Sequence, residues 1–99
     1  MTSEPLDTLV ARRLKEARIA AGMTVREAAA AAGIPDHSLL VRYENSVARP
    51  PLERLHALAT AYDTTLAALV TERDEVVKLI AAIERADTQT LNRLLAALH

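Results

Sequence analysis

Residues 22–52 read GMTVREAAAAAGIPDHSLLVRYENSVARPPL, and this stretch decides the fold. Thr24-Val25-Arg26-Glu27 forms a capping box, in which a hydroxyl and a carboxylate three residues apart each satisfy an orphan amide of a first helical turn. A helix therefore runs from Val25 to about Ala32, and its run of alanines lets neighbouring backbones approach closely. Gly33 closes it, Pro35 bars continuation, and Asp36 is a good N-cap for a further helix from His37 to about Asn45. Leu40 and Tyr43 fall three apart on that helix and face inward. His37, Ser38, Val41 and Arg42 fall on the other side. Two short helices joined by a tight turn are the layout of a helix-turn-helix, whose second helix is placed to enter a DNA major groove.

The flanks extend the pattern. Asp7 or Thr8 is a cap for a first helix with Val10, Leu14 and Ala17 on its inner stripe, Arg12, Arg13 and Lys15 off it, and Gly22 stopping it. After a loop from Ser46 to Pro50, Pro51 opens a fourth helix with Leu52, Leu55, Leu58, Ala59 and Tyr62 on one face. Asp63-Thr64-Thr65 breaks it and caps a fifth through Leu66 and Leu69. Thr71 to Asp74 resembles another N-terminal box, with acids suited to a first turn. Val76, Val77, Leu79, Ile80 and Ile83 follow at helical spacing, and Asp87 caps a last helix carrying Leu91, Leu94, Leu95 and Leu98. The expected organisation is a flexible tail (1–7), a five-helix domain (8–70) and a C-terminal helical hairpin (71–99). The hairpin is too short to enclose a small-molecule pocket by itself, and its apolar faces need the first domain or a second copy.

Composition agrees with an all-α chain. Twenty of 99 residues are alanine, the best helix former, and Tyr43 and Tyr62 are the only aromatics. With no cysteine, disulfides, thiolate nucleophiles and Cys-based metal sites are excluded. No apolar run has the length of a membrane span and no charged-then-apolar leader opens the chain, so a soluble cytoplasmic protein is expected. His37, His56 and His99 match no metal spacing, and no nucleophile or phosphate-loop motif occurs. Neither catalysis nor a metal or other cofactor is expected. The net charge of −1 argues against a general polyanion binder, but its distribution is uneven. Residues 8–54 carry +3, and the segments before and after carry −2 each.

Five segments together resemble the Xre, or phage-repressor-like, family of bacterial and phage helix-turn-helix regulators. They are LVARRLKEARIAAGMT (9–24), AAGI (31–34), RYEN (42–45), Arg49-Pro50, and LERLHALATAYDTTLAAL (52–69). The resemblance implies a five-helix domain whose third helix reads the major groove, usually as a dimer on a palindromic operator. It places His37, Ser38 and Arg42 at base-contacting positions, and Thr24, Arg26 and Asn45 at phosphate-holding ones. It also places Arg18 and Glu44 at an internal ion pair between the first helix and the end of the third. Three features depart from the family pattern. One extra residue lies between Gly33 and Glu44, near Pro35 or Asp36. Val25 stands where a phosphate-clamping glutamine is frequent, and Ser46 where a glycine is frequent.

The chemistry of these residues suits the role. Arg42 can donate two bonds to guanine O6 and N7, worth about 1–3 kcal/mol of discrimination; a phosphate contact is its other use. His37 and Ser38 stand at the helix end that enters the groove, and either can bond a base edge or a phosphate. Val41 offers methyls to a thymine methyl, or nothing. Arg49 can reach the backbone or minor groove, or remain in solvent. Val76, Ile80, Ile83, Leu91, Leu95 and Leu98 are the expected seam of a homodimer. The reading is a dimeric repressor that occludes a palindromic operator on double-stranded DNA. The rival is an antitoxin or adaptor whose hairpin binds a regulatory protein partner.

Overall fold

The computed structural model describes residues 4–98; the first three residues of the expected tail, and His99, lie outside them. Among the described residues are seven helices and no strand: α1 (Leu6–Ala20), α2 (Val25–Ala31), α3 (His37–Glu44), α4 (Leu52–Ala61), α5 (Leu66–Val70), α6 (Asp74–Arg85) and α7 (Thr88–Ala97). The largest fully buried side chains are Leu9, Leu14, Leu40, Leu58 and Leu69, drawn from α1, α3, α4 and α5. Each such leucine stabilises the fold by about 1.5–3 kcal/mol relative to exposure. α2 adds only Ala28 and Ala29 to the core, and these small side chains let it sit close against α3 and α4. α1 packs on α3 and α5, so one long helix carries both the recognition motif and the exit toward the C-terminal arm.

The local signals act as read. Thr24 N–H donates to Glu27 Oε1 at 3.0 Å, and Glu27 N–H donates to Thr24 Oγ1 at 3.1 Å. Gly22 and Gly33 both adopt φ +71°, the left-handed region that ends a helix without a Cβ clash. Asp36, Thr65 and Asp87 accept first-turn amides from Ser38, Ala68 and Thr90.

Several expectations are corrected. α1 starts at Leu6 with Pro5 as its cap and no side-chain cap, so neither Asp7 nor Thr8 caps it and the tail is shorter than read. Glu4 accepts from Arg12 at 2.6 Å, and Asp7 pairs with Arg49 instead. Leu52 is 68% exposed; it occupies the first residue of α4, beyond the reach of the core. Thr71 does not open α6. It is the C-cap of α5, its hydroxyl donates to the Ala67 carbonyl, and α6 begins at Asp74 without a side-chain cap.

Arg13 is the largest correction. Read as lying off the inner stripe, it is buried. Its Nε donates to the Thr71 carbonyl at 2.9 Å and its Nη2 to the Glu72 carbonyl at 3.0 Å. Its Nη1 lies 2.8 Å from Asp74 Oδ1. One guanidinium thus satisfies the two carbonyls that link α5 to α6 and the first acid of α6, holding Asp74 below the usual carboxylate range. The C-terminal segment is helical as expected, but its two arms do not close on one another. Neither α6 nor α7 has a fully buried residue, and α6 packs on α5 while α7 makes no extensive contact with another helix among the described residues.

Arg13→Met keeps the aliphatic stem and removes the fork, leaving two carbonyls without a charged donor. Stability should fall by about 2 kcal/mol, and trypsin should cut after Arg73 sooner than in the native chain. Unchanged digestion at Arg73 would show that the linker is held by other means. Acid should also weaken the fold. Glu27, Asp36 and Asp87 sit below their ordinary values because backbone N–H groups donate to the carboxylates. A depressed folded value confers stability above the unfolded value, about 4.5 for Glu27, that is lost as pH falls through the folded one. Melting at pH 3 should lie below melting at pH 6, and the gap should narrow in Glu27→Gln.

Candidate nucleic-acid interface

α3 has eight residues, too few to be helical alone in water, so its position rests on what anchors it. Leu40 and Tyr43 are buried on its inner face. At its C-terminal end Arg18 Nε donates to Glu44 Oε2 at 2.8 Å, and Arg18 Nη2 to Glu44 Oε1 at 3.1 Å. The third guanidinium nitrogen donates to the Met23 carbonyl at 3.0 Å. The Glu44 side chain is 5% exposed and that of Arg18 13%. This two-pronged pair fixes direction as well as distance, and it joins α1, the α1–α2 turn and α3 at one point. At the other end Ile34 is buried while Pro35 and Asp36 are exposed. The extra residue of the turn is absorbed outside the core, and His37 is the first residue of α3.

Opposite this anchored face, Ser38, Val41, Arg42 and Asn45 are exposed and His37 is half-buried. At about 100° per residue these five span an arc of about 140°. Among the described residues, neither Arg42 nor Arg26 forms an ion pair. α3 packs on α1 and α2, and among the described residues neither α6 nor α7 packs extensively on it. The outer arc is therefore open within the chain.

The remaining candidates differ in availability. Thr24 has its hydroxyl oxygen and its amide engaged in the capping box, while Arg26 in the same turn is exposed. Val25 packs against the core and offers no phosphate clamp. Arg49 is exposed but engaged: its Nε and Nη2 both reach Asp7 Oδ2, at 2.9 and 2.8 Å. Ser46 adopts φ +60°, the left-handed conformation that favours glycine, and its hydroxyl donates to the Asp7 carbonyl at 3.3 Å. Asp7, 39 and 42 residues away from these partners, was invisible as a neighbour of the loop. Tyr62 does more than fill the apolar core. It lies beside the Arg18–Glu44 pair, and burial, reinforced by the Glu44 charge and opposed by Arg18, pushes its phenol up to about 12.

Residues 9–75 match the helix-turn-helix domain family. The chain belongs to that family. No curated protein and no solved structure matches it. The match runs past the expected domain boundary at residue 70 and ends within α6, so the Arg13 clamp on Thr71, Glu72 and Asp74 lies inside the helix-turn-helix domain. Membership in this family supports DNA binding. No helix among the described residues is long and apolar enough to cross a membrane.

Glu44→Ala would strand the Arg18 guanidinium in a mostly buried place. It should cost about 3 kcal/mol and lower the melting temperature, whereas Arg18→Met with Glu44→Met should recover part of the loss. Unchanged melting of the single variant would refute the pair as the anchor of α3.

Proposed function

We propose that this chain is a cytoplasmic, Xre-like transcription regulator that binds a palindromic operator as a dimer and represses by occluding a promoter, with no catalysis and no cofactor. The observation that carries this reading is the outward arc of α3, anchored from behind and open in front, with the unpaired Arg42 along one edge of it. In this reading Arg42 donates to guanine, His37 and Ser38 to neighbouring base edges or phosphates, and Val41 meets a thymine methyl. Arg26, Asn45 and the Thr24 turn hold phosphates and set the register. Arg49 exchanges Asp7 for the DNA backbone.

Two copies would present their third helices about 34 Å apart, one turn of duplex. The dimer seam draws on Val76, Ile80, Ile83, Leu91, Leu95 and Leu98. Neither helix has a fully buried residue within one chain; Val76, Ile80 and Leu91 are half-buried, and Ile83, Leu95 and Leu98 are 45%, 58% and 81% exposed. Such unpartnered ridges favour association over a monomer. The same ridges would serve an antitoxin or adaptor bound to another protein, so the nucleic acid itself has to be tested.

Selection of bound fragments from a random duplex pool is the deciding experiment. The native chain should enrich a two-fold symmetric motif, and Arg42→Ala should lose preference at one position per half-site. The logarithm of affinity should fall with log salt by about 0.9 per phosphate neutralised. Enrichment without a motif, or binding indifferent to salt, would set the regulator aside in favour of the adaptor.

A further inference from the structure

A groove of about 650 Å³ runs between the C-terminal half of α1, the α4–α5 turn and one face of α6. Its floor is small and apolar, with Ala17, Ala20, Ala61, Leu69, Val77 and Ala81. Tyr62 stands in its wall, 6% exposed, and its hydroxyl has no hydrogen-bond partner among the described residues. The charged residues that line it balance: the buried Arg13 with Lys78 and Arg85 against Glu16, Asp63 and Asp74. A balanced lining over an alanine floor suits an uncharged apolar ridge better than an anion or a nucleic acid.

α7 carries such a ridge. Leu91, Leu94, Leu95 and Leu98 fall at i, i+3, i+4 and i+7, one stripe of a helix, and Leu94, Leu95 and Leu98 are 47%, 58% and 81% exposed. The one charged residue within α7, Arg93, lies about 150° around the helix from this stripe, so the stripe enters a groove without burying a charge. The dimensions agree as well. The α6 wall spans Asp74 to Arg85, about 16 Å, and the α7 ridge about 10 Å. The chain's own α7 lines no part of the groove, because Ala86 and Asp87 are extended, ψ 146° and 168°, and carry α7 away.

We propose that the α7 ridge of one copy seats in this groove of a second copy, so that two chains exchange arms. This rests on the dimeric reading above and seats the α7 half of its seam; Val76, Ile80 and Ile83 lie about 150° around α6 from the groove-lining residues and take no part in this contact. The seated arm covers Tyr62, which stands beside the Arg18–Glu44 pair, so dimerisation braces the same anchor that aims α3.

The full chain tests this directly, because it has no native cysteine. Ala20→Cys chains mixed with Leu95→Cys chains under mild oxidation should give a disulfide between the two different chains, since seated partners fall within bridging distance. Cross-links only between like chains would overturn the arrangement, as would a double variant that closes within one chain. Ala20 is exposed, so Ala20→Trp fills the groove without touching the core. By sedimentation it should dimerise at least tenfold more weakly, and adding chains with Leu94→Asn and Leu98→Asn should restore a heterodimer through the one intact groove and the one intact arm. An Ala20→Trp chain that dimerises like the native one, or a native chain that is monomeric, would overturn the exchange. A native monomer that still selects a DNA motif would leave the regulator standing without it.

Discussion

Arg18 and Glu44 form the contact on which the orientation of α3 depends. A helix of eight residues has little intrinsic stability, and its apolar face buries Leu40 and Tyr43 in the core with Leu39 half-buried against it. Burial of two side chains holds the helix down but leaves its axis free to roll and slide. The paired nitrogens on both Glu44 oxygens, with the third nitrogen on the Met23 carbonyl, remove that freedom at the C-terminal end. Desolvating such a pair is costly, and hydrophobic substitutes often stabilise more. Its contribution here is directional. It sets the angle at which His37, Ser38, Val41 and Arg42 leave the protein.

The same economy appears at the other junction. Arg13 collects the carbonyls of Thr71 and Glu72 together with the Asp74 carboxylate, so α1 fixes where α6 begins. α1 therefore carries two guanidinium clamps, at Arg13 toward the C-terminal arm and at Arg18 toward α3. A single rigid helix of 15 residues links the segment that contacts DNA in our reading to the segment that meets a second chain. Relative placement of two third helices on a duplex requires rigidity of this kind, since half-site spacing is set by geometry and not by affinity.

Charge is distributed in the same sense. The chain as a whole is nearly neutral, which removes the broad attraction to polyanions that a basic protein has. The unpaired cations that matter, Arg26 and Arg42, lie on the helix-turn-helix itself, while Arg49 is held by Asp7 and the cations of the groove share its lining with Asp63, Asp74 and Glu16. Binding by such a surface relies on a few placed contacts, and these discriminate between sequences more than a diffuse field does.

Much of this was legible in the chain. The capping box at Thr24–Glu27, the glycines at 22 and 33, Pro35 and the Asp36 cap are local signals, complete within four residues, and they settled the helices around the motif and the face of α3 that turns outward. The Arg18–Glu44 pair was legible only through resemblance to a family, because the two residues are 26 apart and nothing local joins them. Arg13 could not be read at all. Its fate depends on the α5–α6 linker returning 58 residues later to offer two carbonyls, and a basic residue beside an apolar stripe gives no hint of that. Asp7 with Arg49, the open groove beneath α6 and the separation of the two C-terminal arms were decided in the same way. Hydrogen bonding within a turn is set by neighbours in sequence, whereas the partner of a long charged side chain is set by whichever segment the core brings past it.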